Sequence, residues 1–140
     1  MREILFRGKQ VDNGEWVYGS YVFEPRRKGA FGQTISELDR ERHYIVSKKN
    51  YEFWEVIPET VGQFTGLTDK NGTKIFERDI VSSNKRKTWI GRGKVWFGNG
   101  AFWCGEREWA KLLRTVCLED EQAVVIGNVH DNPELLEVEE

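Results

Sequence analysis

Hydrophobic and polar residues alternate with a short period along most of the chain, and this pattern predicts β-strands. Near the N-terminus, the runs ILFRGKQV and EWVYGSYVF place large apolar side chains at short intervals on either side of a turn containing Asn13 and Gly14. An Asn-Gly pair readily adopts the positive φ angles that a tight hairpin requires. The pattern therefore predicts a hairpin with strands near Ile4 to Val11 and Glu15 to Phe23.

Two further Asn-Gly pairs predict two further hairpins, at Asn71-Gly72 and at Asn99-Gly100. The first would join Phe64 to Leu67 with Thr73 to Phe76, with Gly72 in a left-handed conformation that glycine adopts without strain. The second pair is flanked by the runs KVWF and AFWC. An Asn-Gly pair between β-type runs is the strongest short-range hairpin pattern, so these strands should be antiparallel neighbours.

Asp79 lies in another turn of this central stretch, between Arg78 and the apolar pair Ile80-Val81. An aspartate in a turn commonly accepts hydrogen bonds from nearby backbone N–H groups. An acidic residue before an Ile-Val strand is also a frequent entry into small SH3-like barrels. We therefore interpret Asp79 as a structural turn residue at the start of a strand.

The alternation breaks down from Glu24 to Arg42, where nine of nineteen residues are charged. Pro25, Gly29 and Gly32 interrupt this stretch, and such a composition is typical of an exposed loop with at most a short helix. Short β-type runs resume at residues 43–47 and 51–57.

One segment has the period of a helix. After Gly105, apolar residues recur at spacings i, i+3, i+4 and i+7, which is the stripe of an amphipathic helix. They are Trp109, Leu112, Leu113 and Val116. This pattern predicts a helix near Glu106 to Val116. A strand is then expected at Ala123 to Ile126, and Asn-Pro-Glu at 132–134 predicts a short helical turn with the Asn as its cap.

These elements predict a mainly β fold, a small antiparallel β module within a single domain over residues 1–140. A chain of this length is typical of one domain. The possible sub-lobes are an N-terminal β-hairpin lobe at 1–60 and an SH3-like barrel at 61–140. The amphipathic helix and the short C-terminal helical turn complete the predicted architecture.

Three longer stretches carry a family resemblance: FRGKQVDNGEWVYGSYV, IPETVGQFTGLTDKNGTKIFERDIV and VIGNVHDNPELL. They resemble the YopX family, small proteins encoded in phages and prophages of Firmicutes. The resemblance implies a β-rich fold with an SH3-like barrel portion in a phage or host-cell cytoplasmic setting, and it implies no catalytic residue. In the family a glycine usually stands where Arg78 stands here. This departure weakens the expectation that the turn adopts a conformation favoured by glycine alone.

Charge and hydropathy narrow the classes of function. The formal net charge of -2 argues against a general polyanion-binding protein, which is usually basic overall. No apolar run approaches the ~20 residues of a membrane helix, and the N-terminal residues lack the apolar core of a signal peptide. We therefore expect a cytoplasmic protein without a membrane partner, located in the host cell cytoplasm if a phage encodes it.

The sequence lacks the patterns of catalytic and metal sites. Cys104 and Cys117 have no C-x-x-C spacing, and with the distant His43 and His130 they make a poor zinc ligand set. Neither a G-x-S-x-G nucleophile motif nor a Walker phosphate loop is present. We therefore expect no enzyme activity, no metal and no cofactor, and we infer no small-molecule substrate.

A basic segment leaves nucleic-acid binding as the alternative function. Residues 85–94 read KRKTWIGRGK, with five basic residues and no acid. Cations would contact phosphates, and an exposed aromatic residue would stack on a base. The candidate contacts for nucleic acid or a protein partner are Lys85, Arg86, Lys87, Trp89, Arg92 and Lys94. The same segment could instead be a solvated hairpin tip with Trp89 folded back onto the barrel.

The leading hypothesis is a non-catalytic interaction module that self-associates or binds a protein partner. Six Trp and eight Phe exceed what one small core buries, which predicts an apolar contact patch. Exposed sheet edges can also pair with another chain. The basic residues at 85–94 and the acidic residues at 119–140 could complement each other between subunits. These features favour a homo-oligomer.

Overall fold

The structure is a computed structural model that describes residues 2–83, 91–119 and 123–137. Within these ranges the chain forms eleven β-strands, one α-helix and two 3-10 turns. The strand pairs are antiparallel, which confirms the predicted mainly β fold. The chain divides into two compact units. We call Ile4–Gly62 the N-terminal unit, and Gln63–Glu140 with Met1–Glu3 the C-terminal unit.

The N-terminal unit contains four strands in the order β4-β3-β2-β1. Their bounds are Phe6–Lys9 for β1, Trp16–Glu24 for β2, Arg42–Val46 for β3 and Phe53–Glu55 for β4. A 3-10 turn follows at Pro58–Thr60, where proline occupies the first helical position. Proline is favoured there because its missing N–H would have no partner within the helix.

The turn between β1 and β2 contains Asn13 and Gly14, as predicted. Gly14 has a φ of 70°, and its N–H donates to the Gln10 carbonyl at 2.9 Å. The Asn13 side chain accepts a hydrogen bond from the Glu15 N–H at 2.9 Å. Gly14 therefore supplies the positive φ angle, and the hydrogen bond to the Asn13 side chain stabilises the turn.

The core of the N-terminal unit is built from alternate residues of its strands, because successive strand side chains point to opposite faces. Val17, Ile45 and Val56 are buried together. The strands approach closely at Gly19, where an added Cβ would lie 2.0 Å from the Val46 carbonyl oxygen. Glycine is therefore required at that position in β2.

Residues 25–41 connect β2 to β3 without a strand or helix, which agrees with the predicted loop. Backbone hydrogen bonds still order parts of this segment. The Arg27 N–H donates to the Leu38 carbonyl at 2.7 Å, and the Gly29 N–H donates to the Gln33 carbonyl at 2.9 Å.

The C-terminal unit contains a hairpin and a five-stranded sheet. The hairpin joins β5 to β6, and the sheet has the order β10-β9-β8-β7-β11. Among the described strands, the edge strands β10 and β11 do not pair with each other, so the sheet is not a closed barrel. The SH3-like barrel implied by the family resemblance is therefore not confirmed. The bounds are Gly62–Thr68 for β5, Lys74–Phe76 for β6, Asp79–Ser82 for β7, Arg92–Gly98 for β8, Ala101–Cys104 for β9, Lys111–Leu112 for β10 and Val124–Asn128 for β11.

Both remaining Asn-Gly pairs join antiparallel neighbours, as predicted. Gly72 has a φ of 81°, while Asn99 and Gly100 have φ angles of 50° and 76°. Two successive positive φ angles define the hairpin turn whose twist matches that of the flanking strands.

The helix prediction near Glu106 to Val116 is wrong in its bounds. The helix α1 covers Leu113–Glu119, and β10 comes directly before it. Leu112 pairs with Trp103 of β9 in that short strand, and Trp109 is 78% exposed. Only the last two residues of the helical stripe are buried. No helix in the described part of the chain is long and apolar enough to cross a membrane.

The predicted short helical turn is present at Pro133–Leu136. Asn132 precedes it, but its side chain makes no capping hydrogen bond, contrary to the prediction. The Asn132 Oδ1 instead accepts a hydrogen bond from the Asn128 N–H at 3.3 Å. The Asn132 side chain therefore bonds to the backbone of β11 instead of capping the turn.

Seven buried residues form the core of the C-terminal unit. They come from the hairpin, the sheet, α1 and the segment that follows α1. They are Ile75, Val81, Val95, Cys104, Leu113, Val116 and Ala123.

Candidate functional site

Asp69 organises the loop between β5 and β6. Its Oδ1 accepts hydrogen bonds from the N–H groups of Asn71 and Thr73, both at 2.9 Å. Its Oδ2 accepts a third from the Val125 N–H at 3.0 Å. This carboxylate, only 8% exposed, therefore ties the loop to β11. Asp69 has a structural role that the sequence pattern did not reveal.

Asp79 makes the kind of backbone bond expected of a turn aspartate. Its Oδ2 accepts a hydrogen bond from the Phe76 N–H at 2.8 Å, and the residue is 2% exposed. Arg78 beside it has a φ of 67°, in the region that favours glycine. The turn therefore has a left-handed backbone at Arg78, the position where the family usually has glycine, and this conformation is not restricted to glycine here.

His43 is the centre of a polar chain in the N-terminal unit. Its Nδ1 lies 2.6 Å from the Tyr21 hydroxyl, and its Nε2 lies 3.8 Å from a Glu41 carboxylate oxygen. Burial, and then the Glu41 charge, raises the pKa of Tyr21. An activated nucleophile needs a lowered pKa or a base that removes its proton easily. The raised pKa therefore disfavours a tyrosinate at Tyr21.

The pKa values of both cysteines are raised. Burial, reinforced by the nearby Cys117, raises the pKa of Cys104 to about 12. Burial, followed by the Asp69 charge, raises the pKa of Cys117. The thiolate is the form that attacks electrophiles and binds metals. In the described ranges, no three His, Cys, Asp or Glu side chains are grouped so that they could hold a metal ion.

Several apolar side chains lie on the outward side of the N-terminal sheet. Strand register places Ser20, Val46 and Phe53 in one row across three strands. It places Val22, Tyr44 and Glu55 in the next row. An antiparallel sheet usually has polar side chains on its solvated face. We call the following residues the outer apolar face: Tyr18, Val22, Tyr44, Val46 and Phe53.

Exposure of the outer apolar face is substantial. Tyr18, Val22 and Phe53 are 47%, 37% and 60% exposed. The rings of Tyr44 and Phe53 meet edge to face, with centroids 5.8 Å apart. The aromatic side chains are therefore held by one another while a large part of their surface contacts water.

Paired charges border the outer apolar face. The Arg40 guanidinium donates to both carboxylate oxygens of Glu55, at 3.1 and 3.3 Å. Arg27 donates to Glu24 at 2.9 Å. Both pairs are at least partly exposed. The border therefore contains charges of both signs, and they largely neutralise each other.

The basic residues singled out from the sequence are only partly described. Lys85, Arg86, Lys87 and Trp89 lie outside the described residues. Arg92 and Lys94 lie in β8, where exposed and buried residues alternate. Because side chains two apart in a strand share a face, these two cations lie on the same side of the sheet as Trp96.

Arg92 and Lys94 border a cleft of about 630 Å³ in the C-terminal unit. We call it the cationic cleft. Arg107, from the segment after β9, is its third cation, and Glu106 is the acid among its lining residues. Sequence reasoning missed Arg107 and Trp96, because they are brought together by the β8–β9 hairpin. The remaining lining residues are Gly93, Phe97, Gly105 and Leu136.

The Trp96 side chain is fixed in the cationic cleft. Its indole N–H donates to the Gly105 carbonyl at 2.8 Å. Its ring stacks with Trp103, with centroids 6.0 Å apart and planes inclined by 21°. The Arg107 guanidinium lies over the indole, 6.0 Å from the ring centroid. An aromatic surface and three cations therefore share one cavity.

These features define a mainly β, antiparallel protein. A family model described as YopX protein matches residues 5–137. The chain therefore belongs to the YopX family, which confirms the resemblance seen in its sequence. No protein of curated function matches the chain.

A solved structure is similar over almost the whole chain. It is the crystal structure of protein EF1440 from Enterococcus faecalis, with a TM-score of 0.55 and 23% sequence identity. The match covers 98% of this chain and 100% of that one. At this level of identity the similarity shows a shared fold and carries no functional assignment.

Proposed function

We propose that the protein is a non-catalytic interaction module that associates with a second copy of itself through the outer apolar face. The observation that carries this proposal is the group of aromatic and β-branched side chains on β2, β3 and β4, of which Tyr18, Val22 and Phe53 are exposed. We place the association in the cytoplasm of a bacterial host cell, the setting implied by the family resemblance.

Burial of the outer apolar face is the driving force. Phe53 alone is 60% exposed, and each Å² of apolar surface removed from water contributes roughly 25 cal/mol. Aromatic residues are enriched at the centres of protein interfaces. An aromatic sheet face therefore gains free energy when another protein surface covers it.

A second copy suits this face better than a charged partner does. The Arg40–Glu55 and Arg27–Glu24 pairs place charges of both signs at the border, so it does not favour a strongly acidic or a strongly basic partner. Two copies of one regular antiparallel sheet face can pack against each other as the sheets of a β-sandwich do. A two-fold axis through the face makes such a contact self-complementary.

The size of the face makes this association weak. Three strands about 4.8 Å apart and five residues at about 3.3 Å each give an area on the order of 200 Å² per copy. A stable interface buries about 800 Å² per partner. We therefore expect a concentration-dependent equilibrium between monomer and dimer.

Sedimentation velocity over a range of protein concentrations tests the proposal. We expect the wild-type mass to rise with concentration and Phe53→Lys to hold the protein monomeric, because a lysine ammonium would be desolvated in the contact. Phe31→Lys is the matched control: Phe31 is 94% exposed and lies outside the face, so this variant should associate normally.

The same measurement at low and high salt separates the outer apolar face from the charged segments. Association through apolar surface should persist at high salt, whereas exposed charges are screened. Loss of association at high salt, or equal association by the Phe53→Lys and wild-type proteins, would contradict the proposal.

A further inference from the structure

We propose that the cationic cleft binds a nucleotide, with the phosphate on its cations and the base on Trp96. The nucleotide is either free or part of a single-stranded nucleic acid. This binding site is in the C-terminal unit and is independent of the proposed self-association.

The charge of the cationic cleft favours an anion. Three cations, Arg92, Lys94 and Arg107, line it together with one acid, Glu106. In the described part of the chain, none of these three cations forms a salt bridge. The cationic cleft is therefore locally positive, although the whole chain has a net charge of -2. The three cations of the cleft remain available to a ligand phosphate.

The spacing along β8 suits a phosphate with an attached base. Arg92, Lys94 and Trp96 follow one another on one face of the strand, with successive Cα atoms about 6.6 Å apart. A ligand lying along this row would contact charge at one end and an aromatic ring at the other. Aromatic rings combined with a cationic groove are the usual means of binding single strands without sequence readout.

A base would fit on the Trp96 indole after a small movement of Arg107. A planar ring inserted between the indole and the Arg107 guanidinium needs about 7 Å, since each stacked contact takes about 3.5 Å. The Arg107 Cζ lies 6.0 Å from the ring centroid, so an outward shift of at least about 1 Å in the exposed Arg107 side chain would admit the ring. The bond from Trp96 to Gly105 holds the indole in place meanwhile.

The dimensions of the cleft also suit a ligand of this size. Its volume of about 630 Å³ falls within the roughly 300–1,000 Å³ of small-molecule sites. Leu136, from the turn at Pro133–Leu136, contributes apolar surface to the lining.

Fluorescence anisotropy with a short labelled oligothymidylate tests the proposal, with adenosine monophosphate as a competitor. The Arg92→Ala/Lys94→Ala variant should bind about tenfold more weakly and lower the slope of log K against log salt by about 1.4, or about 0.7 per lost phosphate contact. Trp96→Ala should also weaken binding about tenfold through the lost stacking. Circular dichroism verifies that each variant is folded.

The matched control is Arg26→Ala/Lys49→Ala, which removes the same two kinds of charge from exposed positions in the N-terminal unit. Its affinity should remain within about twofold of the wild type, because neither residue lines the cationic cleft. Displacement of the oligonucleotide by adenosine monophosphate would identify the free nucleotide as a sufficient ligand. Binding of the oligonucleotide without displacement would identify the single strand.

Three results would overturn the proposal. The first is no binding of either probe by the wild type at low salt. The second is an equal loss of affinity in the control and the cleft variant. The third is a loss confined to Lys85→Ala/Arg86→Ala/Lys87→Ala, which would assign the binding to the preceding basic segment.

Discussion

Replacement of Asp69 by alanine should strongly destabilise the C-terminal unit. Two of its three hydrogen-bond donors, the N–H groups of Asn71 and Thr73, belong to exposed residues and can turn to water. Each of those losses should cost about 1 kcal/mol. The Val125 N–H is in a half-buried strand and, without an acceptor, should cost about 1–3 kcal/mol. The sum is about 4 kcal/mol, a large share of a typical stability of ~5–15 kcal/mol.

Urea unfolding followed by circular dichroism measures this loss. With a slope of about 2 kcal/mol per molar urea, a loss of about 4 kcal/mol moves the midpoint by about 2 M. The urea midpoint of Asp69→Asn should lie between those of the wild type and Asp69→Ala. Its carbonyl oxygen can still accept hydrogen bonds from the loop N–H groups, while its NH₂ group faces the Val125 N–H. Asp12→Ala, at an exposed turn residue, is the matched control and should change stability by less than about 0.5 kcal/mol. A loss below about 1 kcal/mol for Asp69→Ala would refute the structural role assigned to this carboxylate.

Three further predictions concern the backbone and the thiols. Arg78→Gly should raise the free energy of unfolding by about 0.5 kcal/mol, because it relieves a left-handed φ but makes the unfolded chain more flexible; a lower urea midpoint would contradict this. Gly19→Ala should lower the free energy of unfolding by about 3 kcal/mol, since the new Cβ meets a backbone oxygen. A urea midpoint equal to that of the wild type would contradict the close approach of the strands. With a pKa of about 12, Cys104 should react with a disulfide reagent at about pH 8 only after unfolding, because almost no thiolate is present; rapid native labelling would show the burial to be wrong.

The hairpins could be predicted from the sequence because their turn chemistry is local. Asn99 and Gly100 adopt positive φ angles that follow from those two residues alone. The start of α1 could not be predicted in the same way. Leu112 fits the helical stripe, but pairing with Trp103 places it in β10. Tertiary contacts thus overrode the local period.

The outer apolar face and the Asp69 contact both depend on tertiary contacts that sequence periodicity does not reveal. Alternation predicts that Phe53 and Trp54 face opposite sides of the sheet, but it does not tell which side is covered. In the structure Trp54 packs against the core while Phe53 is exposed. Likewise, Val125 is 56 residues from Asp69, so no local pattern links them. Features that depend on single residues could be predicted from the sequence, whereas contacts between distant residues could be seen only in the structure.

Hydroxyl-radical footprinting at low and high protein concentration tests most directly whether the outer apolar face is the self-association surface. Mass spectrometry would report oxidation of Phe53 and Tyr18, with the exposed Phe31 and Trp109 as internal references. The proposal predicts that oxidation of Phe53 and Tyr18 falls as the mass rises, while the two reference residues keep their reactivity. Unchanged oxidation of Phe53 in a sample whose mass has doubled would contradict it.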